Sequence, residues 1–356
     1  MKVGLLLVFQ NFLDQVTDRE VYEREITLAL LAEPLGLDTV SAVEHHFFSY
    51  AMCPDNIQFL SYLAAKTERI GLLTGAVILP WNNPLRVVEK MILLDHLSKG
   101  RAIFGIGRGL AKREYGAFGI DMNEARDRFD EAADMIIRGL ETGIVEGDGR
   151  YYKQARTAVR PGPYASFKER INCVAMSSDS VPVCARLGAK MMSFAQKPWD
   201  QMVPHFETYR KLFLQYNSRP APAPVCVDFL VCSDSADEAE ALARQHITNY
   251  YVTLMDHYDM AGDHFKQMKG YGDYATNAAL IKEAGGAAAE AFVNVNLWGT
   301  PKQILEKLDK RRQLIGDFDL TVQISFGGMS GEKAEQSLRL FAKKVLPELR
   351  SWQSAA

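Results

Sequence analysis

The sequence predicts an α/β fold, a closed (β/α)8 barrel of the TIM type, and two observations lead to this prediction. Eight short, almost continuous apolar runs alternate with amphipathic stretches of helical period along the 356 residues. Such runs are typical of parallel strands that are buried on both faces. The count of eight favours a closed barrel over an open, doubly wound sheet.

The predicted elements follow one another in a regular order, and together they predict one domain over residues 1–356. The predicted strands are residues 2–9, 37–44, 69–80, 101–107, 171–176, 190–194, 225–232 and 320–326. Asp18 is the expected N-cap of the first helix, which runs through the segment that follows it. The later helices are expected at 56–67, 85–100, 123–140, 179–188, 198–216, 235–250, 301–315 and 331–350.

Two segments interrupt this alternation and are predicted to be insertions. Residues 141–170, after helix 4, are rich in turn-forming residues and indicate a hairpin. Residues 251–295, after helix 7, are too long for a plain connection, and long connections in compact domains often act as lids. We therefore expect a barrel with a lid-like insertion at about 251–295.

Composition and charge exclude several classes of protein. The net charge of -3 lacks the basic excess of nucleic-acid-binding proteins. The apolar run in MKVGLLLVFQ is too short for a membrane span and lacks the cleavage site of a signal peptide. The five cysteines are scattered and contain no C-x-x-C pair, which predicts reduced, buried thiols, a cytoplasmic location and no metal site.

Chemistry in such a barrel gathers at the carboxyl ends of the strands, and two candidates lie at the ends of strands 2 and 3. Glu44, His45 and His46 follow strand 2, where an imidazole can act as a general base or hold a ligand. A pair of structural histidines explains the same residues. Gly75 and Ala76 interrupt strand 3, which indicates either a close approach to a ligand or a packing adjustment.

Two further candidates, at the ends of strands 4 and 5, suit an anion. The motif GIGRG at 105–109 has G-x-G-x-G spacing on a fourth strand, so we reject a dinucleotide fingerprint and retain Arg108 as a phosphate ligand. Ser177 and Ser180 precede an apolar helix, where hydroxyl and N–H groups bind anions. A surface arginine and ordinary N-capping are the alternatives, but the two features together favour a phosphate site.

The linked motifs VEHHF, AVILPWNNPLRVVEKMILLDHLSKGR, FGIGRGL and FGIDMNEARDRF resemble the bacterial luciferase-like flavin monooxygenases, in particular the luciferase alpha subunit. The resemblance is strongest over residues 40–130 and continues to WGTPKQILEKL at 298–308. It implies a (β/α)8 barrel that takes reduced FMN from a separate NAD(P)H:flavin reductase. The bound flavin would then react with O2 through a C4a-peroxyflavin and oxygenate a small organic substrate.

The resemblance also implies roles for individual residues. His45 matches the active-site histidine beside the flavin, and Gly75-Ala76 match a pair joined by a cis peptide. The other implied flavin contacts are Gly107 and Leu110 at the ring, and Arg108, Arg126, Met176, Ser177 and Ser180 around the phosphate. Met176 replaces a glutamate of luciferase and Gly107 replaces a reactive cysteine, so these two positions depart from the family pattern. Because the lid segment shares little sequence with that of luciferase, light emission from an aldehyde is not expected.

The remaining expectations concern the substrate, the partners and the rival functions. Five aromatic side chains are candidates for lining an apolar or aromatic substrate pocket, with core packing as the alternative: Phe47, Phe48, Tyr50, Trp81 and Phe194. His46 and Glu89 match positions that face the partner subunit of luciferase, which implies a homodimer. The alternatives are a deazaflavin-dependent hydride-transfer enzyme on the same barrel and a non-catalytic flavin-binding protein.

Overall fold

The computed structural model describes residues 1–284 and 286–352. Residue 285 and residues 353–356, which belong to the predicted single domain, lie outside the described part. Within it the strands are β1 (Val3–Leu7), β2 (Thr39–Ala42), β3 (Gly71–Thr74), β4 (Val77–Ile78), β5 (Ala102–Gly107), β6 (Ile144–Asp148), β7 (Lys153–Ala158), β8 (Ile171–Val174), β9 (Lys190–Phe194), β10 (Val225–Cys232), β11 (Leu297–Gly299) and β12 (Asp319–Gln323).

Eight of these strands close into a parallel barrel, which confirms the predicted fold. The strands pair in the order β1-β2-β3-β5-β8-β9-β10-β12, and β12 returns to β1. Seven of the eight lie within the predicted apolar runs, and β12 begins one residue before its run. The residues of β1 and β10 are buried throughout, because helices cover the outside of the barrel and side chains fill its interior.

The helices alternate with the barrel strands on the outside. They are α1 (Asp18–Ala32), α2 (Asn56–Ala64), α3 (Pro84–Leu97), α4 (Lys112–Ala117), α5 (Ala125–Thr142), α6 (Ser180–Arg186), α7 (Trp199–Asn217), α8 (Ala236–His257), α9 (Gly272–Ala284), α10 (Gly286–Val295), α11 (Pro301–Ile315), α12 (Gly331–Lys344) and α13 (Leu346–Ser351). Thr17 rather than Asp18 caps α1, because its side chain accepts the Glu20 N–H and completes a capping box.

Both interruptions of the alternation are inserted structure. Residues 141–170 contain the predicted hairpin, in which β6 and β7 pair antiparallel. Residues 251–295 are mostly helical: α8 extends to His257, and α9 and α10 follow a short 3-10 turn at Asp263–Gln267. The sequence analysis missed α4, α9, α10 and the short strand β11, which adds to the edge of β10.

Gly105 shows why glycine is required in the middle of a barrel strand. A Cβ at this position would lie 1.8 Å from the carbonyl oxygen of Thr74 on β3. The Thr74 hydroxyl also accepts the Gly105 N–H at 2.7 Å, so the two strands cannot separate without losing this bond. The glycine-rich motif therefore serves strand packing at its first position.

We expect Gly105→Ala to lower the free energy of unfolding by about 2–3 kcal/mol, the upper part of the range for overpacked sites. Urea denaturation followed by circular dichroism measures the change. Gly116→Ala is the matched control, since no atom lies within 4 Å of its added Cβ and alanine favours the α4 helix. Equal stability of the two variants would contradict this account of Gly105.

Glu25, on the inner face of α1, makes stability depend on pH. The side chain is fully buried, and this burial raises its pKa from 4.5 to about 7, although the Arg24 guanidinium offsets part of the effect. Between these two pH values the folded protein keeps Glu25 protonated while the unfolded chain ionises it. The free energy of unfolding therefore falls as pH rises through this window.

We expect Glu25→Gln to remove this pH dependence. Relative to the native chain, the variant should gain up to about 3 kcal/mol of stability as the pH rises from below to above the window. Denaturant titrations of both proteins at pH values on either side of it measure the difference. Stability curves that run parallel across the whole window would show that Glu25 does not titrate in this way.

Candidate active site

A single large cavity at the carboxyl end of the barrel collects all of the predicted site residues. Its empty volume, counted to its open mouth, is about 1410 Å³. Side chains from most of the barrel strands line it, together with residues from α8 and from the insertion at 251–295. The predicted residues at this cavity are His45, Gly75, Ala76, Gly107, Arg108, Leu110, Arg126, Met176, Ser177 and Ser180.

His45 is held at the cavity wall by contacts to both ring nitrogens. Its Nδ1 lies 3.0 Å from Oε1 of Glu114, and its Nε2 lies 3.1 Å from the Tyr258 hydroxyl. Burial alone would raise the pKa of Glu114, but His45 and the His46 N–H outweigh it and hold that pKa below its usual value. Glu114 is therefore ionised and accepts a hydrogen bond from the Nδ1–H of His45, which leaves Nε2 as the nitrogen with the free lone pair.

The two neighbours of His45 have structural roles. One carboxylate oxygen of Glu44 accepts the Trp81 Nε1–H at 2.7 Å, and the other accepts the Ile78 N–H at 3.1 Å. His46 lies 3.2 Å from the same carboxylate. Glu44 thus holds the segment from Ile78 to Trp81 in place, directly after the Gly75-Ala76 pair.

Gly75 and Ala76 are joined by a cis peptide bond, as the resemblance implies. They lie at the cavity wall between β3 and β4, next to the glycines that follow β5. A Cβ on Gly107 would lie 3.1 Å from Ile78 Cδ1, and one on Gly109 would lie 2.8 Å from Ile78 Cγ2. Both positions therefore require glycine, because a side chain at either one would collide with Ile78 in this part of the cavity wall.

One part of the cavity wall, here called the phosphate side, is positively charged and suits a phosphate. Arg108 and Arg126 both line it, and burial, followed by the charge of Arg108, lowers the pKa of Arg126. Within residues 1–284 and 286–352, the buried Nη2 of Arg126 makes no hydrogen bond. The hydroxyl groups of Ser177 and Ser180 lie 3.0 Å apart and line the same cavity. A dianion would satisfy the unpaired N–H and relieve the repulsion between the two arginines.

The insertion at 251–295 closes over this phosphate side. Arg108 donates to the carbonyl of Gly270 at 2.9 Å and stacks on the Tyr271 ring at 4.0 Å. The backbone N–H of Ser178 donates to the Asp273 carboxylate at 2.7 Å. Residues before α9 and at its start thus contact Arg108 and Ser178 at the predicted phosphate site.

Two of the five aromatic side chains expected at the substrate pocket do not line the cavity, and Met176 has a structural contact in place of a phosphate contact. Tyr50, Trp81 and Phe194 line the cavity, but Phe47 and Phe48 do not, because their side chains are 63% and 37% exposed on the surface. Met176 has no charge to offer a phosphate, and its sulfur instead accepts the Phe194 N–H at 3.1 Å.

The sequence analysis missed several residues that shape the site. Glu114 lies on α4, which was not predicted, and Tyr258 caps the C-terminal end of α8, which was expected to stop earlier. Tyr50 and Tyr250 share a short hydroxyl contact of 2.5 Å deep in the cavity. The sequence offered one signal for Glu114, which is that it follows the predicted end of strand 4 at Gly107 by seven residues.

The residues present fit a flavin mononucleotide. The unpaired Nη2 of Arg126 and the like charge of Arg108 suit its phosphate, and the wall at Gly75, Ala76 and Gly107, which carries little side chain, suits its flat ring. His45 lines the same cavity. In the part of the chain that the structure describes, no helix is both long and apolar enough to cross a membrane.

Several known proteins are similar to this chain in sequence or in fold over almost its whole length. The alkanal monooxygenase alpha chain of Photorhabdus luminescens is 26% identical over 359 residues, which cover 99% of each chain. Monooxygenase RslO1 from Streptomyces bottropensis has a TM-score of 0.79 at 27% identity, covering 98% of this chain and 100% of that one. The oxygenating constituent of 3,6-diketocamphane monooxygenase from Pseudomonas putida, in complex with FMN, shares the fold, with a TM-score of 0.77, 19% identity and 98% of both chains covered.

The family comparison covers most of the chain. The model of the luciferase-like monooxygenases matches residues 1–317, which include every barrel strand except β12. The matched residues thus include the cis peptide, the histidine that follows β2 and seven of the eight barrel strands. The protein belongs to the luciferase-like monooxygenases, a family of flavin-dependent enzymes.

Proposed function

We propose that this chain is the oxygenase of a two-component system that binds reduced FMN and uses O2 to oxygenate a small apolar or aromatic substrate. A separate NAD(P)H:flavin reductase would supply the reduced flavin. The observation that carries this proposal is the pair of arginines on one side of the cavity, with an unpaired, buried N–H of Arg126 beside Arg108. When bound, reduced flavin supplies the electrons and the carbon at which oxygen is activated.

The protein's own residues would bind, orient and shield the reactants. Arg108, Arg126, Ser177 and Ser180 would hold the phosphate, while Gly75-Ala76, Gly107 and Leu110 would lie against the ring. Met176 would make an apolar contact near the phosphate. The tyrosine and phenylalanine side chains deeper in the cavity favour an apolar or aromatic substrate, including one with a carbonyl group.

His45 would hold and move the proton that the reaction needs. Since Glu114 accepts from Nδ1, Nε2 can take a proton and Tyr258 can share it at 3.1 Å. Burial raises the pKa of Tyr258 well above its usual value, so its hydroxyl stays protonated and can donate to Nε2. The segment 251–295 would act as the lid that keeps water away from the reacting atoms.

The same proposal includes a homodimer and a location in the cytoplasm. A homodimer is supported by apolar side chains exposed on α3, where Leu93 and Leu97 are 48% and 52% exposed beside Glu89. A cytoplasmic location is supported by five cysteines that are all free and buried. Light scattering of the purified protein measures the first of these.

Anaerobic titration tests the function directly. Reduced FMN should bind at one per chain, and its reoxidation after oxygen is added should be slower than that of free reduced FMN. Transfer of a hydride from a reduced deazaflavin without oxygen would instead support the deazaflavin-dependent enzyme. Stoichiometric flavin binding with no oxygen consumed in the presence of any of a panel of aromatic and carbonyl substrates would support a flavin-binding protein without catalysis.

A further inference from the structure

His257 is a buried histidine for which the proposed function has no use. Its side chain is only 1% exposed, at the end of α8. Neither ring nitrogen makes a hydrogen bond to any residue in the described ranges. Burying polar nitrogens without hydrogen-bond partners is unfavourable, so a ligand that pairs with them would account for this position.

The imidazole of His257 points toward the carboxylate that holds His45. Its Nε2 lies 3.7 Å from Oε1 of Glu114, which is too long for a hydrogen bond, while Nδ1 of His45 lies 3.0 Å from the same oxygen. One donor atom from each of the three residues lies within 4.8 Å of the others. Bonds of about 2.0–2.2 Å to a tetrahedral Zn²⁺ place ligand atoms about 3.3–3.5 Å apart, so the two distances to Glu114 change by a few tenths of an ångström and a separation of 4.8 Å would close by about 1.4 Å.

Other contacts already orient each of these three side chains. His257 stacks on the Tyr50 ring at 4.2 Å with 12° between the planes. Glu114 accepts the His46 N–H at 2.8 Å, and the second nitrogen of His45 faces the Tyr258 hydroxyl. Partners of this kind fix the ring planes and tautomers of metal ligands.

We propose that His45, Glu114 and His257 form a binding site for a divalent first-row transition ion such as Zn²⁺. Two imidazoles and one carboxylate are a donor set that suits these ions, and two of the three residues, His45 and Glu114, line the cavity. The hydrogen bond between His45 and Glu114 explains those two residues without an ion, but it leaves His257 without a partner. Ion binding accounts for all three.

The site would also regulate the enzyme. An ion on Nδ1 of His45 displaces the proton of that nitrogen, so the neutral ring carries its N–H on Nε2. Nε2 then has no lone pair with which to take the proton of the proposed reaction while the ion is bound. Zn²⁺ would therefore inhibit oxygenation. This consequence rests on the proposed function, whereas the binding itself does not.

Calorimetric titration of flavin-free, chelator-treated protein with ZnCl2 tests the site. We expect one Zn²⁺ per chain, with His257→Phe weakening the binding at least about tenfold, since loss of even an outer-shell partner costs about 10- to 100-fold. Phenylalanine keeps the stacking on Tyr50 and removes both nitrogens. His264→Phe is the matched control, because His264 lies 3.2 Å from the Asp259 carboxylate but belongs to no three-donor group in the described part.

A second variant and a second metal keep the test valid if His257→Phe does not fold. Glu114→Gln keeps an acceptor for the His46 N–H and should also weaken Zn²⁺ binding at least about tenfold. Co²⁺ bound to the native protein should show visible absorption bands that either variant loses. Unchanged affinity in Glu114→Gln or His257→Phe, or a loss of affinity in His264→Phe, would overturn the proposal. Since no flavin is present, such a result would leave the oxygenase proposal untouched.

Discussion

Replacing His45 with alanine should lower the rate of substrate oxygenation by about 10²- to 10⁴-fold, the usual contribution of a positioned acid–base group. The variant removes the only imidazole whose Nε2 faces the cavity with a hydroxyl partner at 3.1 Å among the described residues. Reduced FMN should still bind, because the phosphate ligands are on other strands. Product formed per O2 consumed, together with the H2O2 released, measures the effect.

Two controls separate this role from a structural one. His96→Ala removes an exposed histidine on α3 and should leave coupling unchanged. Glu114→Gln should keep His45 in place but weaken its hold on Nδ1, and so shift the pH profile of the reaction rather than abolish it. Native coupling in His45→Ala would remove His45 from the mechanism.

Arg108→Ala should weaken the binding of FMN by about 10- to 100-fold, because a hydrogen bond to a charged group contributes about 1.5–3 kcal/mol. The guanidinium is one of two on the phosphate side of the cavity, and Arg126 lacks a partner for its buried Nη2. Fluorescence titration of the anaerobic protein with FMN measures the change in affinity.

Riboflavin, which has the same ring but no phosphate, is the decisive comparison ligand. Its affinity should be almost the same in the native protein and in Arg108→Ala. Arg186→Ala, on the outer part of α6, is the matched arginine control and should bind both ligands normally. If riboflavin binding falls as far as FMN binding, Arg108 acts through its contacts to Gly270 and Tyr271 in the lid rather than through the phosphate.

The barrel could be predicted because its strands are buried on both faces. β10 has eight buried residues in a row. Such a strand appears in the sequence as an apolar run, which can be identified without knowing the strands that pair with it. Short elements at the edges carry no such signal. β11 has three residues, and α4 has six, too few for a helical period to show.

The site was predictable where a side chain follows a barrel strand. His45 and Arg108 come directly after β2 and β5, and strand ends in this fold converge at one rim. Glu114, His257 and Tyr258 could not be found in this way. They lie on helices, and their closeness to His45 depends on how α4 and α8 pack over the rim.

The sequence by itself determined the eight strands, their parallel closure and the residues at their carboxyl ends, because burial and period are local properties of the chain. Only the tertiary structure decided the partners of those residues. Glu114 is 69 residues from His45, Tyr258 is 213 residues from it, and Gly270 is 162 residues from Arg108. No local pattern encodes such contacts, since they arise from the way α4, α8 and the insertion at 251–295 pack over the rim of the barrel.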